Sequence, residues 1–197
     1  MTAPRQPATL VLLGLRGSGK STLGHTLAKR LERAFVDLDD LTAEAMQQTS
    51  AGEAIREHGL AVFREAEARA LADALTHERA HRSGGVLALG GGTPTAPGAE
   101  QQLREAQSAG AVSVVYLRAT PQTLAARLAT TDTESRPSLT GKGTLEEIGE
   151  LFTQRDSLYR AIADVVLETD ELDESATLDR LVIWARSIDR SIDRSVD

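Results

Sequence analysis

The segment G-L-R-G-S-G-K-S at residues 14–21 is the feature that most constrains the fold of this chain. It fits the pattern G-x-x-x-x-G-K-[S/T], and it follows an apolar run and precedes an amphipathic segment with Leu23, Leu27 and Leu31 on one face. A strand, a glycine-rich loop and a helix in this order predict a phosphate-binding loop, because backbone N–H groups at a helix N-terminus attract anions. We therefore expect a nucleotide ligand. The predicted nucleotide-binding residues of the loop are Gly14, Gly17, Ser18, Gly19, Lys20, Ser21 and Thr22.

Four side chains near this loop are candidates for phosphate, metal and proton chemistry. Lys20 would reach the β- and γ-phosphates, and Ser21 would hold Mg²⁺. The second strand is expected to end at V-D-L-D-D, residues 36–40, so Asp37 and Asp39 should point the same way at the carboxyl edge of the sheet. One carboxylate could bind Mg²⁺ or its waters, and the other could take a proton from a substrate hydroxyl. The alternative is that an aspartate here is an ordinary helix N-cap.

Strand-like apolar runs alternate with helical patterns along the chain, which predicts an α/β fold with a parallel sheet covered on both faces. The 197 residues suit one domain, and 41% of them are hydrophobic while 3% are aromatic, so the core should be aliphatic. We expect this domain to span residues 1–188, with a polar, lid-like loop at about residues 129–143. The period-four repeat near the end could extend the last helix, but a frayed tail over residues 189–197 is expected.

Composition excludes several classes of protein. The net charge of −7 argues against a nucleic-acid surface, and no apolar segment is long enough for a membrane span or a signal peptide. The chain has no cysteine, which excludes disulfides and thiolate metal sites. We expect a cytoplasmic monomer whose partners are small molecules, with no nucleic-acid or membrane partner. An anionic substrate of such an acidic chain would need a locally basic pocket.

Two arginines lie on apolar helical stripes, where a guanidinium costs free energy unless an anion meets it. Arg64 shares a helix face with Glu67, which is placed to orient it. Arg155 lies on a helix that a Thr144–Glu147 capping box should start. The apolar stripe around Arg155 consists of Leu145, Ile148, Leu151, Phe152, Leu158, Tyr159 and Ile162. A structural carboxylate or a substrate anion would satisfy Arg155, and a plain helical ion pair would explain Arg64.

Two further segments are candidates for ligand contact. Gly90, Gly91 and Gly92 close a predicted strand, and a backbone without side chains lets a ligand approach closely, although a flexible strand-to-helix turn would look the same. Arg136 and Lys142 fall in the predicted lid. An arginine on a lid can close over a transferring phosphate, whereas the alternative is a solvated surface arginine.

The segment His77–His81 fits H-E-x-x-H, the pattern of a zinc-peptidase helix. It lies where a helix is expected to end before two glycines, so a metal there would be exposed. We therefore do not expect zinc catalysis.

The motifs GLRGSGKST, VDLDD, VFREAE, ALGGGT, SRPSL and QRDSLY, in this order, resemble the shikimate kinases over residues 10–186. The resemblance implies a single-domain P-loop fold of the nucleoside-monophosphate-kinase type, with a five-stranded parallel sheet and a mobile lid. It also implies that the chain uses ATP to phosphorylate the 3-hydroxyl of shikimate, a step of aromatic amino acid biosynthesis, with Mg²⁺ as cofactor.

On the nucleotide side, the resemblance implies that Lys20 contacts the phosphates. Ser21 would bind Mg²⁺ directly, with Asp37 in its shell. Arg136 would be the lid arginine, and Arg127 would lie under the adenine.

On the substrate side, the resemblance implies that Asp39 binds the shikimate hydroxyls and is the candidate base, so that Lys20, Asp39 and Arg136 are the expected catalytic residues. Arg64 and Arg155 would clamp the shikimate carboxylate, and Gly91 and Gly92 would line the floor of the site.

Two other functions fit part of the sequence. A related small-molecule kinase, such as a gluconate kinase, would also bring paired arginines to a carboxylate substrate. A non-catalytic ligand sensor on this fold would belong to a different class, and such sensors usually carry a DNA-binding extension. The present chain has only a short segment before its first strand and keeps Lys20, Asp39 and Arg136.

Overall fold

The computed structural model describes residues 8–76, 84–130 and 144–193. The strands are β1 (Thr9–Leu13), β2 (Phe35–Asp37), β3 (Val86–Ala88), β4 (Val112–Arg118) and β5 (Val165–Glu168). The α-helices of these ranges are α1 (Lys20–Leu31), α2 (Leu38–Ala45), α3 (Ala51–His58), α4 (Leu60–Thr76), α5 (Ala99–Ser108), α6 (Pro121–Ala129), α7 (Thr144–Ile162) and α8 (Glu174–Asp193). A 3₁₀ turn spans Thr93–Thr95. None of the described helices has the length and apolar composition needed to cross a membrane.

The five strands form one parallel sheet in the order β2-β3-β1-β4-β5, which confirms the predicted fold. β1 pairs with β3 on one side and with β4 on the other, so that Leu10 lies level with Val86 and with Ser113. The chain leaves β1 and β4 towards opposite edges of the sheet. Such a reversal opens a crevice beyond the carboxyl ends of these two strands, and the phosphate loop begins there, directly after β1.

Helices cover both faces of the sheet. One face packs against α4, α5, α6 and α7, and the other packs against α1 and α8. All five residues of β1 are buried, as expected for the central strand of a parallel sheet covered on both sides. The core is largely aliphatic, as predicted, and Phe63, Tyr116 and Tyr159 are the fully buried aromatic side chains of the described residues.

The prediction that Asp37 and Asp39 both lie on a strand is wrong. β2 ends at Asp37, and Asp39 lies in the first turn of α2. The Asp37 carboxylate accepts the backbone N–H of Asp39 at 3.0 Å, so Asp37 is the N-cap that ends the strand and starts the helix. Strand periodicity does not apply beyond Asp37, because the tendency of aspartate to cap a helix decides the local structure.

The frayed tail expected over residues 189–197 is wrong for residues 189–193, because α8 continues to Asp193. Ile188 packs against the core cluster that contains Leu178, Leu181 and Ala185. Asp189 accepts two hydrogen bonds from the Arg33 guanidinium, at 2.7 and 2.8 Å. The period-four repeat therefore keeps an apolar and an acidic side chain against the domain. Residues 194–197 lie outside the described part of the chain.

We predict that Asp189→Ala lowers the free energy of unfolding by about 1–3 kcal/mol, because a guanidinium whose side chain is only 6% exposed then loses its carboxylate partner. The matched control is Asp179→Ala, which removes the partner of Arg30 on the same helix. That pair is 48% and 60% exposed, so its loss should cost under about 1 kcal/mol. Urea unfolding of both variants measures the difference. Equal losses, or no loss in either variant, would contradict this account of the end of α8.

Candidate active site

The phosphate loop has the backbone geometry that its glycines allow. Gly17 and Gly19 have φ angles of 84° and 86°, which side chains with a Cβ rarely adopt. A Cβ on Gly14 would lie 2.7 Å from the Leu117 carbonyl oxygen at the end of β4, so this position has no space for a side chain. Lys20 begins α1, is buried, and donates from Nζ to the Leu15 carbonyl oxygen at 3.0 Å. The lysine amine therefore lies inside the curve of the loop.

Ser21 and Asp37 form a pair of oxygen ligands beside this loop. The Ser21 hydroxyl donates to Asp37 Oδ2 at 2.5 Å, although the residues are 16 positions apart. A hydroxyl next to a carboxylate suits Mg²⁺, which prefers hard oxygen ligands and usually takes only one or two from the protein. Among the described residues, this pair is the position where the sequence predicted a metal.

The glycine turn, Gly90–Gly92, brings four charged groups of the candidate site together. A Cβ on Gly90 would collide with the carboxylates of Asp39 and Glu67, and a Cβ on Gly92 would collide with the Arg64 guanidinium. The Gly91 carbonyl oxygen accepts a hydrogen bond from Arg155 at 2.8 Å. The structure therefore places Asp39, Arg64 and Arg155, three of the predicted substrate-binding residues, around the predicted floor.

The glycine turn also lies against the phosphate loop. A Cβ on Gly91 would be 3.2 Å from the backbone nitrogen of Arg16 and 3.8 Å from the carbonyl oxygen of Gly14. The groups around the glycine turn and the groups around the phosphates therefore border one crevice at the carboxyl edge of the sheet. This proximity is what a transfer of a phosphoryl group between two bound molecules requires.

Arg64 is oriented by a buried carboxylate, as the helical spacing predicted. Its guanidinium donates to Glu67, whose side chain is fully buried, and the Thr93 hydroxyl donates to the other Glu67 oxygen at 2.5 Å. Burial raises the pKa of Glu67, and the charge of Arg64 and the hydrogen bond from Thr93 oppose that rise. The Arg64 side chain is 15% exposed, and its guanidinium lies against Gly92 of the glycine turn.

Helix α7, which carries Arg155, is fastened to the sheet by Asp156. This carboxylate accepts from the Tyr116 hydroxyl at 3.0 Å, from Arg118 at 2.7 Å and from Arg160 at 3.0 Å. Burial acts to raise the pKa of Asp156, but these three hydrogen bonds outweigh it, so the pKa is lowered and the group stays ionised. Through Arg118 and Tyr116 of β4, this carboxylate holds the middle of α7 against the sheet.

The apolar stripe predicted for α7 is largely confirmed. Ile148, Tyr159 and Ile162 are buried, but Leu145 in the first turn of the helix is 51% exposed and does not belong to the stripe. The helix begins at Thr144, and Ile148 is its first residue in the hydrophobic core cluster. Helical spacing alone does not show where along a helix the packing begins.

A cleft of about 610 Å³ lies beside the phosphate loop, between residues 16–23 and the segments that carry Arg127 and Thr169. Arg127 of α6 lines it, and donates to the carbonyl oxygen of Thr169 at 2.6 Å and to its hydroxyl at 3.1 Å. Asp170 accepts from the hydroxyls of Thr120 and Thr123, at 2.8 and 2.6 Å, which ties the loop after β5 to the start of α6. The cleft is therefore bounded by fixed side chains and could take the base and sugar of a nucleotide.

Several predicted features lie outside the described residues. These are the lid residues Arg136 and Lys142 and the H-E-x-x-H segment His77–His81. The sequence did not predict the hydrogen bonds that three residues make in and around the site, namely Thr93, Asp156 and Tyr159. Tyr159 follows Arg155 by one helical turn, and Thr93 directly follows the three glycines, so their spacing was the available signal.

Comparisons with known proteins point to one family. The family model described as "Shikimate kinase" matches residues 16–186. The protein named shikimate kinase 2 of Escherichia fergusonii is 40% identical over 160 residues, which cover 81% of this chain and 82% of that protein. The shikimate kinase of Rhodopirellula baltica is 38% identical over 179 residues, covering 87% of this chain and 88% of that protein.

A solved structure agrees at the level of the fold. The shikimate kinase of Acinetobacter baumannii in complex with shikimate superposes with a TM-score of 0.78 at 26% identity, and covers 93% of this chain and 95% of that chain. The matched range 16–186 contains the phosphate loop from Arg16 onwards, the glycine turn and both arginine-bearing helices. This chain belongs to the shikimate kinase family.

Proposed function

We propose that this chain transfers the γ-phosphoryl group of ATP to the 3-hydroxyl of shikimate, which gives shikimate 3-phosphate and ADP. The observation that carries the proposal is the convergence of Asp39, Arg64 and Arg155 on one glycine turn that borders the phosphate loop. The family to which the chain belongs supports this substrate and ATP as co-substrate.

The proposed role of the two arginines is to hold the shikimate carboxylate. Arg64 is already oriented by Glu67, and Arg155 by the Gly91 carbonyl oxygen, so both guanidinium groups are in position before the substrate arrives. A planar guanidinium suits a carboxylate because two parallel N–H groups can donate to its two oxygens. This local pair of cations explains how a chain with a net charge of −7 binds an anion.

The proposed base is Asp39. The 3-hydroxyl oxygen of shikimate forms a bond to the γ-phosphorus, the bond between that phosphorus and the oxygen of ADP breaks, and the hydroxyl proton passes to the Asp39 carboxylate. Asp39 suits this role because it lies at the glycine turn, beside the proposed substrate floor of Gly91 and Gly92. The hydrogen bond from its backbone N–H to the Asp37 carboxylate holds the Asp39 backbone at the start of α2.

Lys20 and the phosphate-loop backbone are proposed to hold the phosphates of ATP, and Arg136 to approach them from the lid. Ser21 would hold Mg²⁺ directly, with Asp37 beside it, and the ion would offset the charge of the phosphate oxygens. Arg127 would contact the adenine from the wall of the cleft, where Thr169 fixes its guanidinium. The monomeric state and the cytoplasmic location expected from the sequence stay predictions.

The proposal is tested by coupled ADP-release assays with shikimate, quinate and gluconate side by side. We expect ATP-dependent ADP release with shikimate to exceed that with the other two acids. Preferred turnover of gluconate would point to the related small-molecule kinase. Binding of shikimate without ADP release would support the ligand sensor, and either result would overturn the proposed function.

We predict that Asp39→Asn lowers kcat strongly with a smaller change in the KM for shikimate, because asparagine keeps the shape and hydrogen bonding of the side chain but cannot accept the proton. A general base contributes roughly 10²–10⁴-fold to the rate. Steady-state kinetics with both substrates varied gives the two constants. If kcat falls less than about threefold, well short of that range, then Asp39 only positions the substrate.

We predict that Gly92→Ala raises the KM for shikimate by about 10-fold or more, because the new methyl group takes the space of the Arg64 guanidinium and disturbs a charge-assisted contact. The backbone of Gly92 has a φ of −125°, which alanine adopts readily, so the effect comes from the collision alone. The KM for ATP should stay within about twofold, because the loss of a single contact acts locally.

The matched control for Gly92→Ala is Gly149→Ala on α7. A Cβ on Gly149 meets no atom within 4 Å, and alanine in a helix is more stable than glycine by about 0.5–1 kcal/mol. This variant should keep its activity and melt slightly higher. An unchanged KM for shikimate in Gly92→Ala would show that Arg64 does not bind the substrate.

A further inference from the structure

The Gly91 carbonyl oxygen accepts hydrogen bonds from two side chains of α7. Arg155 donates at 2.8 Å, and the Tyr159 hydroxyl donates at 2.5 Å. The two donors are four residues apart, so they lie one helical turn apart on the same face of the helix. The carbonyl group that belongs to the proposed substrate floor is therefore held twice by the helix that carries the proposed clamp.

The Tyr159 side chain has little freedom to move. Its residue is fully buried, and its ring packs edge-on against Tyr116 with the centroids 5.3 Å apart and an angle of 87°. Burial raises the pKa of Tyr159 to about 12, although the charges of Arg155 and Arg64 oppose the rise. The phenol is therefore protonated at neutral pH and remains a hydrogen-bond donor.

Arg155 is free to change partners, because the groups it contacts in the structure, the Gly91 carbonyl oxygen and the Tyr159 hydroxyl, are both neutral. A charged carboxylate is a stronger acceptor for a guanidinium than an amide oxygen. When an anion enters the site, Arg155 gains by turning N–H groups towards it. The Gly91 carbonyl would then lose a donor at a surface that the bound substrate shields from water, and an unpaired polar group there costs free energy.

We propose that Tyr159 is a positioning residue for substrate binding: its hydroxyl keeps the Gly91 carbonyl oxygen paired, and so frees Arg155 to bind the carboxylate of the substrate. The inference rests on the proposed function, because it takes the ligand of Arg155 to be the shikimate carboxylate. The same hydrogen bond ties the glycine turn to α7, and so keeps Gly91 at a fixed position relative to Arg155.

A comparison of Tyr159 with Tyr116, whose ring packs against it, distinguishes this role from a purely structural one. The Tyr116 hydroxyl donates to Asp156 at 3.0 Å, and Asp156 keeps Arg118 and Arg160 as donors when that hydroxyl is removed. Tyr159→Phe and Tyr116→Phe each delete one buried hydroxyl and leave the ring in place. They should lower the melting temperature to a similar extent, and differ only in the effect on the substrate.

The first measurement is steady-state kinetics and calorimetric shikimate binding for both variants. Tyr159→Phe should raise the KM and the Kd for shikimate by about 5-fold, the worth of one net hydrogen bond, and leave the KM for ATP unchanged. Tyr116→Phe should leave all three constants within about twofold. Equal changes in the two variants, or unchanged shikimate binding in Tyr159→Phe, would overturn the proposal.

The second measurement is a double-mutant cycle with Arg155→Ala. If Tyr159 acts by freeing Arg155, then Tyr159→Phe should change the Kd for shikimate less in the Arg155→Ala background than in the wild type. Independent, multiplicative effects would mean that Tyr159 does not act through Arg155, which rejects the proposal. Wild-type turnover of shikimate is measured first, so a failure of the proposed function is seen before any variant is made, and the inference then falls with it.

Discussion

The glycine turn at residues 90–92 is the constraint on which the rest of the candidate site depends. Without side chains, Gly90 leaves room for the carboxylates of Asp39 and Glu67, and Gly92 leaves room for the Arg64 guanidinium. Between them, the Gly91 carbonyl oxygen receives Arg155 and Tyr159 from α7. Groups that are far apart in sequence therefore meet at one short piece of backbone. A Cβ at either end of the turn would occupy the place of a charged group.

The surroundings of the turn also explain how the charges of Glu67 and Arg64 are stabilised away from water. Glu67 is fully buried and is satisfied by Arg64 and by the Thr93 hydroxyl, so neither charge is left without a partner. The desolvation of Arg64 takes place on folding rather than on binding. A carboxylate that enters the crevice then meets a guanidinium that is already oriented, and this preorganisation is an efficient way to bind an anion in an acidic protein.

The sequence predicted the parts of the site that depend on local spacing. The phosphate loop follows from its glycines, and the Arg64–Glu67 pair follows from residues three positions apart on one helix. The prediction that Asp37 and Asp39 share a strand was wrong. An aspartate that follows a short apolar run can either continue the strand or cap the next helix, and Asp37 caps α2. Local propensity gives no means of choosing between these two until the strand length is known.

Contacts between distant residues could not be predicted in the same way. Tyr159 and Gly91 are 68 positions apart, and Arg33 and Asp189 are 156 positions apart, so no periodicity relates them. The repeat at the end of the chain looked solvated because its charges repeat regularly, yet one of those charges meets a buried arginine. Which distant residues meet depends on the order of the strands and on the sheet face that each helix covers. Neither of these can be read from local spacing in the sequence.

The central claim is that Arg64 and Arg155 together hold the carboxylate of shikimate over the glycine turn, with its hydroxyls towards Asp39. The most direct test is a crystal structure of this protein with shikimate and ADP. The account predicts the carboxylate within hydrogen-bonding distance of both guanidinium groups, the 3-hydroxyl within hydrogen-bonding distance of Asp39, and the Gly91 carbonyl oxygen still paired with Tyr159. A carboxylate bound away from both arginines, or a shikimate turned so that another group faces Asp39, would contradict it.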